Sequence, residues 1–166
     1  MHPSAYANCE RFVDRYFSQP GLVLDVGSLD VNGSLRPIFA SRGWNYTGLD
    51  RRPGKNVDVV NPAIRWWLPF DDGNFEAVVS SSALEHDPTF WITFWEMVRV
   101  TRSGGLVYIC VPSQGKYHGH PVDCWRFQKD CWAGLADWCP RAELVECYID
   151  PSDELWQDNV GIFRVK

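Results

Sequence analysis

Two groups of residues could do chemistry, and the first lies near the start of the chain. The apolar run GLVLDVGS (residues 21–28) ends in Asp25 and Gly27, and the loop that follows, SLDVNGS, contains Gly33. Glycines let a chain turn tightly and let its backbone approach a ligand. A second run, WNYTGLD (44–50), ends in Asp50, 23 residues after Gly27. That spacing suits an acidic side chain accepting hydrogen bonds from the two ribose hydroxyls of a bound nucleoside. Taken singly, each glycine serves equally well as a turn or helix start, and Asp50 as a solvated strand end. The loop also lacks the middle glycine of GxGxxG, which counts against a pyrophosphate-binding nicotinamide site.

The second group is SQGKYHGHPVDCWRF (113–127), with Tyr117, His118, His120, Asp123, Trp125 and Arg126 within ten residues. Irregular loops of this length are uncommon unless they are functional. Histidine changes charge near neutral pH and suits proton transfer, so His118 and His120, with Asp123 and the more distant His86, are candidate catalytic groups. Each has a plainer reading too. The histidines could bond loop backbone, Asp123 and Arg126 could be an ion pair that pins the loop, and His86 could stabilise a strand-to-helix junction. His118, His120, Asp123 and Cys124 are metal-ligand types, but their spacing matches no established metal motif, so no metal is expected.

These residues need a framework, and the pattern of elements supplies one. Short apolar runs suited to buried strands appear at 21–28, 44–50, 57–60, 75–86 and 106–111. Helical spacing appears at 34–41, again after Asp87 and Pro88, and near 129–138. Asp87 followed by Pro88 reads as a helix cap and first position, and RSGG (102–105) as a turn that ends the helix. Two last strands, 143–149 and 159–165, could pair as an antiparallel edge. Strands separated by helices imply an α/β fold: a doubly wound, mostly parallel, seven-stranded sheet with helices on both faces and an antiparallel C-terminal edge strand. In such a sheet ligands bind beyond the carboxyl ends of the strands, near the point where the strand order reverses. Asp25, Gly27 and Asp50 all stand at strand ends.

Composition agrees. The chain has 166 residues, 45% hydrophobic and 22% charged, which excludes disorder and suits one domain, with a helical segment at 1–20 and an active-edge loop at 112–127. The net charge of −5 disfavours nucleic acid. No run reaches the roughly 20 apolar residues of a membrane helix, and the charged N-terminal stretch is unlike a signal peptide, so a cytoplasmic protein is expected. Six cysteines form no CxxC pair and read as small buried apolar residues. The nine tryptophans suit a dense core, and Trp66, Trp67, Trp91 and Trp95 read as core or helix-packing residues.

In order along the chain, VLDVGS, GLD, LPFDDGNFEAVVSSSALEH and EMVRVTRSGGLVYICVPS resemble the S-adenosylmethionine-dependent methyltransferases of the Rossmann-like class, type 11 group in particular. The resemblance covers roughly residues 20 to 138 and implies S-adenosylmethionine as cofactor. It places Asp25, Gly27 and Ser28 behind the methionine portion, Asp50 on the ribose and Arg51 beside the adenine. Asn61 and Ala63 fall in the adenine-facing segment, and Ser81, Ser82 and Leu84 along the cofactor. Leu29 and Val31 replace later loop glycines of the family, and Pro62 replaces its usual acidic adenine contact. A small-molecule acceptor is expected, recognised by the segment before Gly21, by the 113–127 loop or by a partner subunit. Two alternatives remain: a methyltransferase-like binding module without turnover and, less well supported, a nicotinamide-dependent oxidoreductase.

Overall fold

In the computed structural model, which describes residues 2–64, 66–152 and 154–166, seven strands form one sheet in the order β3-β2-β1-β4-β5-β7-β6. The strands are β1 (Leu22–Val26), β2 (Asn45–Asp50), β3 (Val59–Val60), β4 (Phe75–Ser81), β5 (Thr101–Pro112), β6 (Ala142–Ile149) and β7 (Asp158–Val165). The first five run parallel, and β7 is antiparallel to both β5 and β6. The order reverses between β1 and β4, which are direct neighbours although β2 and β3 lie between them in sequence.

Alternation along each strand divides the core into two halves. Leu24, Val78, Val107, Ile109 and Phe163 face α3 (Phe90–Val100) and α4 (Cys131–Trp138). Val23, Val79, Tyr108, Cys110 and Ile162 face α1 (Pro3–Tyr16) and α2 (Arg36–Ala40). Strands buried on both faces are why the sequence shows continuous apolar runs. On the α3–α4 side, Trp132 lies parallel to Phe127, donates from Nε1 to Asn159 Oδ1 at 2.7 Å, and covers Gly161, where any Cβ would strike its ring.

Several local expectations are corrected. RSGG is not a turn: α3 ends at Val100, and Thr101 pairs at once with Phe75, ahead of a register irregularity that precedes Ala77↔Leu106. The extra residues lie on β5, and beside them Phe75 packs on the α3 face while Ala77 packs on the other. Asp87–Pro88 does not open the helix, which starts at Phe90. Asp87 instead accepts hydrogen bonds from Thr89 N–H and from the Thr89 and Thr93 hydroxyls. Strand β3 is only Val59–Val60, because Asp58 is drawn to the Gly48 amide and Arg36. Trp66 and Trp67 are exposed rather than core, since Ile64 and Leu68 take the inward positions of their turn. Trp91 and Trp95 fit the helix-packing expectation: Trp95, though exposed, meets Trp138 of α4 edge to face, and Trp91 is partly buried against the core. Cys9, Cys110 and Cys139 are buried as expected, but Cys124 and Cys147 are exposed.

Candidate active site

A cleft of about 260 Å³ opens at the carboxyl ends of the strands, at the point of order reversal. Its floor is the loop after β1. There Gly27 has φ +85°, and an added Cβ would overlap that of Ala83 in the loop after β4. The two loops therefore close on each other only because residue 27 has no side chain. Leu29 N–H reaches Asp50 Oδ2 at 3.2 Å, and Asp30 ties the loop to Lys55 at 2.6 Å and to Gly33 N–H at 2.7 Å. These bonds fix the loop against the end of β2 and the segment that follows it.

Asp25, Gly27, Ser28, Asp50, Arg51, Ser81, Ser82 and Leu84 all line the cleft. Asp25 is nearly inaccessible, and its Oδ2 accepts a short hydrogen bond from the Tyr46 phenol. Burial pushes its carboxyl up to about 7, against the lowering effect of that bond. Asp50 Oδ1 and Oδ2 each accept one backbone N–H at 3.2 Å, leaving lone pairs toward the cleft. Ser82 holds φ +51°, a strained setting for a non-glycine residue. The Ser81 and Ser82 hydroxyls are shielded from solvent without a hydrogen-bond partner among the described residues. Unsatisfied hydroxyls beside a glycine-lined loop and a part-exposed carboxylate suit a polar ligand with its own donors and acceptors.

Asn61 and Ala63 do not line the cleft. Asn61 instead closes the turn after β3, donating to Trp67 O at 2.6 Å and accepting from Ala63 N–H at 3.0 Å, and among the described residues of this segment Ile64 reaches the cleft. The turn chemistry of Asn61 competes with any role in contacting a ligand.

The other end of the cleft is built by the helical turn Leu84–His86 and by residues 113–127, which fold over it. Glu85 O accepts from Cys124 N–H at 2.7 Å and Trp125 N–H at 3.2 Å, and the Trp125 indole donates to Asp87 O at 2.8 Å. His86, His118 and His120 converge there, with ring centroids 4.9 Å apart for His86–His118 and 5.6 Å for His86–His120. Asp123 is not on the cleft surface. It takes two bonds from Arg126, at 2.6 and 2.7 Å, and one from His118 N–H, and these hold its carboxyl down to about 2. The loop-pinning ion pair is thus present, and it also backs the His118 ring.

Sequence reasoning passed over Glu85, Thr93, Trp156 and His2, all of which line the cleft. Glu85 is 1% exposed, and burial pushes its carboxyl up to about 8. His86 is shifted down, chiefly by burial. Acidic residues are almost never buried without a partner, so only position in the fold could have singled out Glu85.

The methyltransferase-domain family matches residues 24–109, just over half of the chain. An uncharacterized methyltransferase of Mycobacterium sp. (strain JLS) is 36% identical over 109 residues, 60% of this chain and 42% of its own length. One from Mycolicibacterium paratuberculosis is 31% identical over 151 residues, 84% of this chain and 54% of its own. The chain therefore spans about half the length of these relatives. In fold it is similar to the 1,6-didemethyltoxoflavin-N1-methyltransferase of Burkholderia thailandensis, solved with 1,6-didemethyltoxoflavin and S-adenosylhomocysteine bound. The TM-score is 0.78 at 17% identity, over 98% of this chain and 79% of that one. The PH0226 protein of Pyrococcus horikoshii OT3 gives 0.72 at 14% identity, over 98% and 91%. No helix among the described residues is long and apolar enough to cross a membrane.

Proposed function

The chain belongs to the methyltransferase-domain family, and from that premise we propose that it is an S-adenosylmethionine-dependent methyltransferase acting on a small or medium-sized acceptor. The observation that carries the reading is the order of groups in one cleft: Gly27, then Asp50, then the Ser81 and Ser82 hydroxyls, with histidines beyond. Asp50 would take the ribose diol, whose two hydroxyls match its remaining lone pairs. Arg51 and Ile64 would flank the adenine, and the backbone around Asp25, Gly27 and Ser28 would face the methionine portion. Ser81, Ser82 and Leu84 would lie along the cofactor toward the acceptor.

When bound, the cofactor supplies an electrophilic methyl group. The chain has to align the acceptor with that group and receive any proton the acceptor loses. His86 and His118 both turn toward Glu85, whereas His120 lies exposed at the mouth, so His120 is the proposed proton acceptor. Asp123 is a positioning residue, pinning the loop that carries His120 through Arg126 and the His118 backbone N–H. A binding module without turnover is the second reading, suggested by Leu29, Val31 and Pro62 where the family usually has loop glycines and an acidic residue.

Calorimetric titration with S-adenosylmethionine and S-adenosylhomocysteine tests the first reading. Asp50→Ala should weaken both by roughly 10- to 100-fold, the loss of hydrogen bonds to a charged group, with far-ultraviolet circular dichroism unchanged. No binding of either ligand at millimolar concentration overturns the reading, and unchanged affinity in Asp50→Ala removes that residue from the ribose. Tight binding with no methyl transfer across a broad acceptor screen supports the second reading.

A further inference from the structure

The inner end of the cleft has a donor set that the methyl-transfer reading leaves unused. Glu85 is buried at the 1% level, and its Oε2 has no hydrogen-bond partner among the described residues. A carboxyl group so placed is costly unless something pairs with it. Two imidazoles approach its other oxygen: His86 Nε2 lies 3.7 Å and His118 Nε2 3.9 Å from Glu85 Oε1. Those separations are too long for hydrogen bonds. They sit close to the separation of about 3.4 Å between two ligand atoms bonded tetrahedrally to one ion at about 2.1 Å. One ligand atom from each of Glu85, His86 and His118 lies within 4.8 Å of the other two.

The far side of each imidazole decides what its near side can do. His86 Nδ1 is 2.6 Å from Val122 O, and a carbonyl only accepts, so Nδ1 carries the proton and Nε2 a lone pair. His118 Nδ1 is 3.2 Å from Asp123 Oδ2. Arg126 Nη2 also approaches that nitrogen at 3.3 Å, but its two hydrogens are taken by Lys116 O and Asp123 Oδ2, each at 2.7 Å. A carbonyl, Lys116 O, lies 3.3 Å from His118 Nδ1 in hydrogen-bond geometry, so Nδ1 carries the proton and the Nε2 lone pair also faces Glu85. Backbone carbonyls behind both imidazoles, with the Asp123 carboxylate beside the second, are the kind of outer partners that metal-binding histidines use to fix tautomer and ring orientation.

We propose that Glu85, His86 and His118 bind one divalent transition-metal ion of the zinc class at the inner end of the cleft. Two imidazole nitrogens and one carboxylate suit such an ion and disfavour magnesium or calcium, which prefer oxygen ligands throughout. Three protein ligands leave a coordination position open toward the cleft. Its use to hold an acceptor oxygen rests on the methyltransferase reading, whereas the ion site itself does not. Of His118, His120, Asp123 and Cys124, the ligand types noted in the loop sequence, only His118 joins the trio. Asp123 is committed to Arg126, and Cys124 is exposed.

The test uses the whole chain, stripped with a chelator and titrated calorimetrically with Zn²⁺ alone, then with Co²⁺ followed by visible absorption. One equivalent should bind. Glu85→Gln and His118→Asn should each weaken zinc by about 100-fold or more, and the outer-partner change Asp123→Asn by about 10-fold. Cys124→Ser should leave zinc affinity within about threefold. The visible bands of nitrogen- and oxygen-coordinated Co²⁺ should appear in the unmodified chain and vanish in the two ligand variants. Should Glu85→Gln fail to fold, His118→Asn decides alone, because that ring is part-exposed. No saturable zinc binding, or binding that survives both ligand variants, overturns the site. A parallel titration of the stripped chain with S-adenosylmethionine separates the two readings: zinc without cofactor binding removes only the role toward an acceptor, and cofactor without zinc binding removes the site.

Discussion

Asp25→Asn removes a titration from the interior of the molecule while keeping its shape. In the folded chain Asp25 has almost no exposed surface, and burial lifts its carboxyl from an ordinary 3.8 to about 7. The nearby Asp50 charge adds to the rise, while the Tyr46 hydroxyl and Arg36 oppose it. The folded state therefore keeps a proton that the unfolded chain releases above about pH 4. Stability from this group is fully present below 3.8 and is lost as pH rises through about 7. The difference corresponds to about 4 kcal/mol at 1.36 kcal/mol per pH unit, most of it lost by pH 7. The substituted carboxamide cannot ionise, and its oxygen can still accept from Tyr46. Urea unfolding of both chains from pH 4 to 8 should show the difference in unfolding free energy shifting by about 4 kcal/mol in favour of Asp25→Asn as pH rises. Other titrating groups are common to the two chains and cancel in the difference. Curves that stay parallel to within about 1 kcal/mol would refute the reasoning, because a solvated or ion-paired Asp25 would carry no such dependence.

Two further outcomes follow from neighbouring geometry. Gly27→Ala places a Cβ at φ +85° and against Ala83; it should cost roughly 1–3 kcal/mol in urea unfolding and abolish cofactor binding by parting the two loops. Arg126→Ala leaves the sheltered Asp123 carboxylate without its two strong donors. It should cost about 3 kcal/mol and speed hydrogen exchange across 115–126. Asp123 is held down to about 2, so its stabilising contribution is present above 3.8 and lost as pH falls through 2. That acid limb should flatten in Arg126→Ala.

Much of the fold could be read along the chain because the signals are local. Runs such as LVLDV and LVYICV are apolar at nearly every position, as strands covered on both faces must be. The elements misread were those decided by distant neighbours. RSGG has the composition of a turn, yet Thr101 is drawn into the sheet by Phe75 and the extra length is absorbed by a bulge. Trp66 and Trp67 look like core residues, yet a tight turn after β3 points Ile64 and Leu68 inward and leaves the larger rings outside. Asn61 sits where the family resemblance suggests a ligand contact, but its side chain is spent on the turn.

By itself the sequence determined the class of fold, the order of its elements and the strand-end placement of Gly27, Asp50 and Ser81–Ser82. Hydrophobic period and turn chemistry act over a few residues and need no partner. Only the tertiary structure decided what stands opposite those residues. Nothing along the chain singles out Glu85; it is buried because the backbone of Cys124 and Trp125 folds onto the turn that carries it. The same folding brings His118 to His86 and turns Asp123 away to back the ring. Such contacts depend on loop closure and packing between segments more than thirty residues apart, which no local preference encodes.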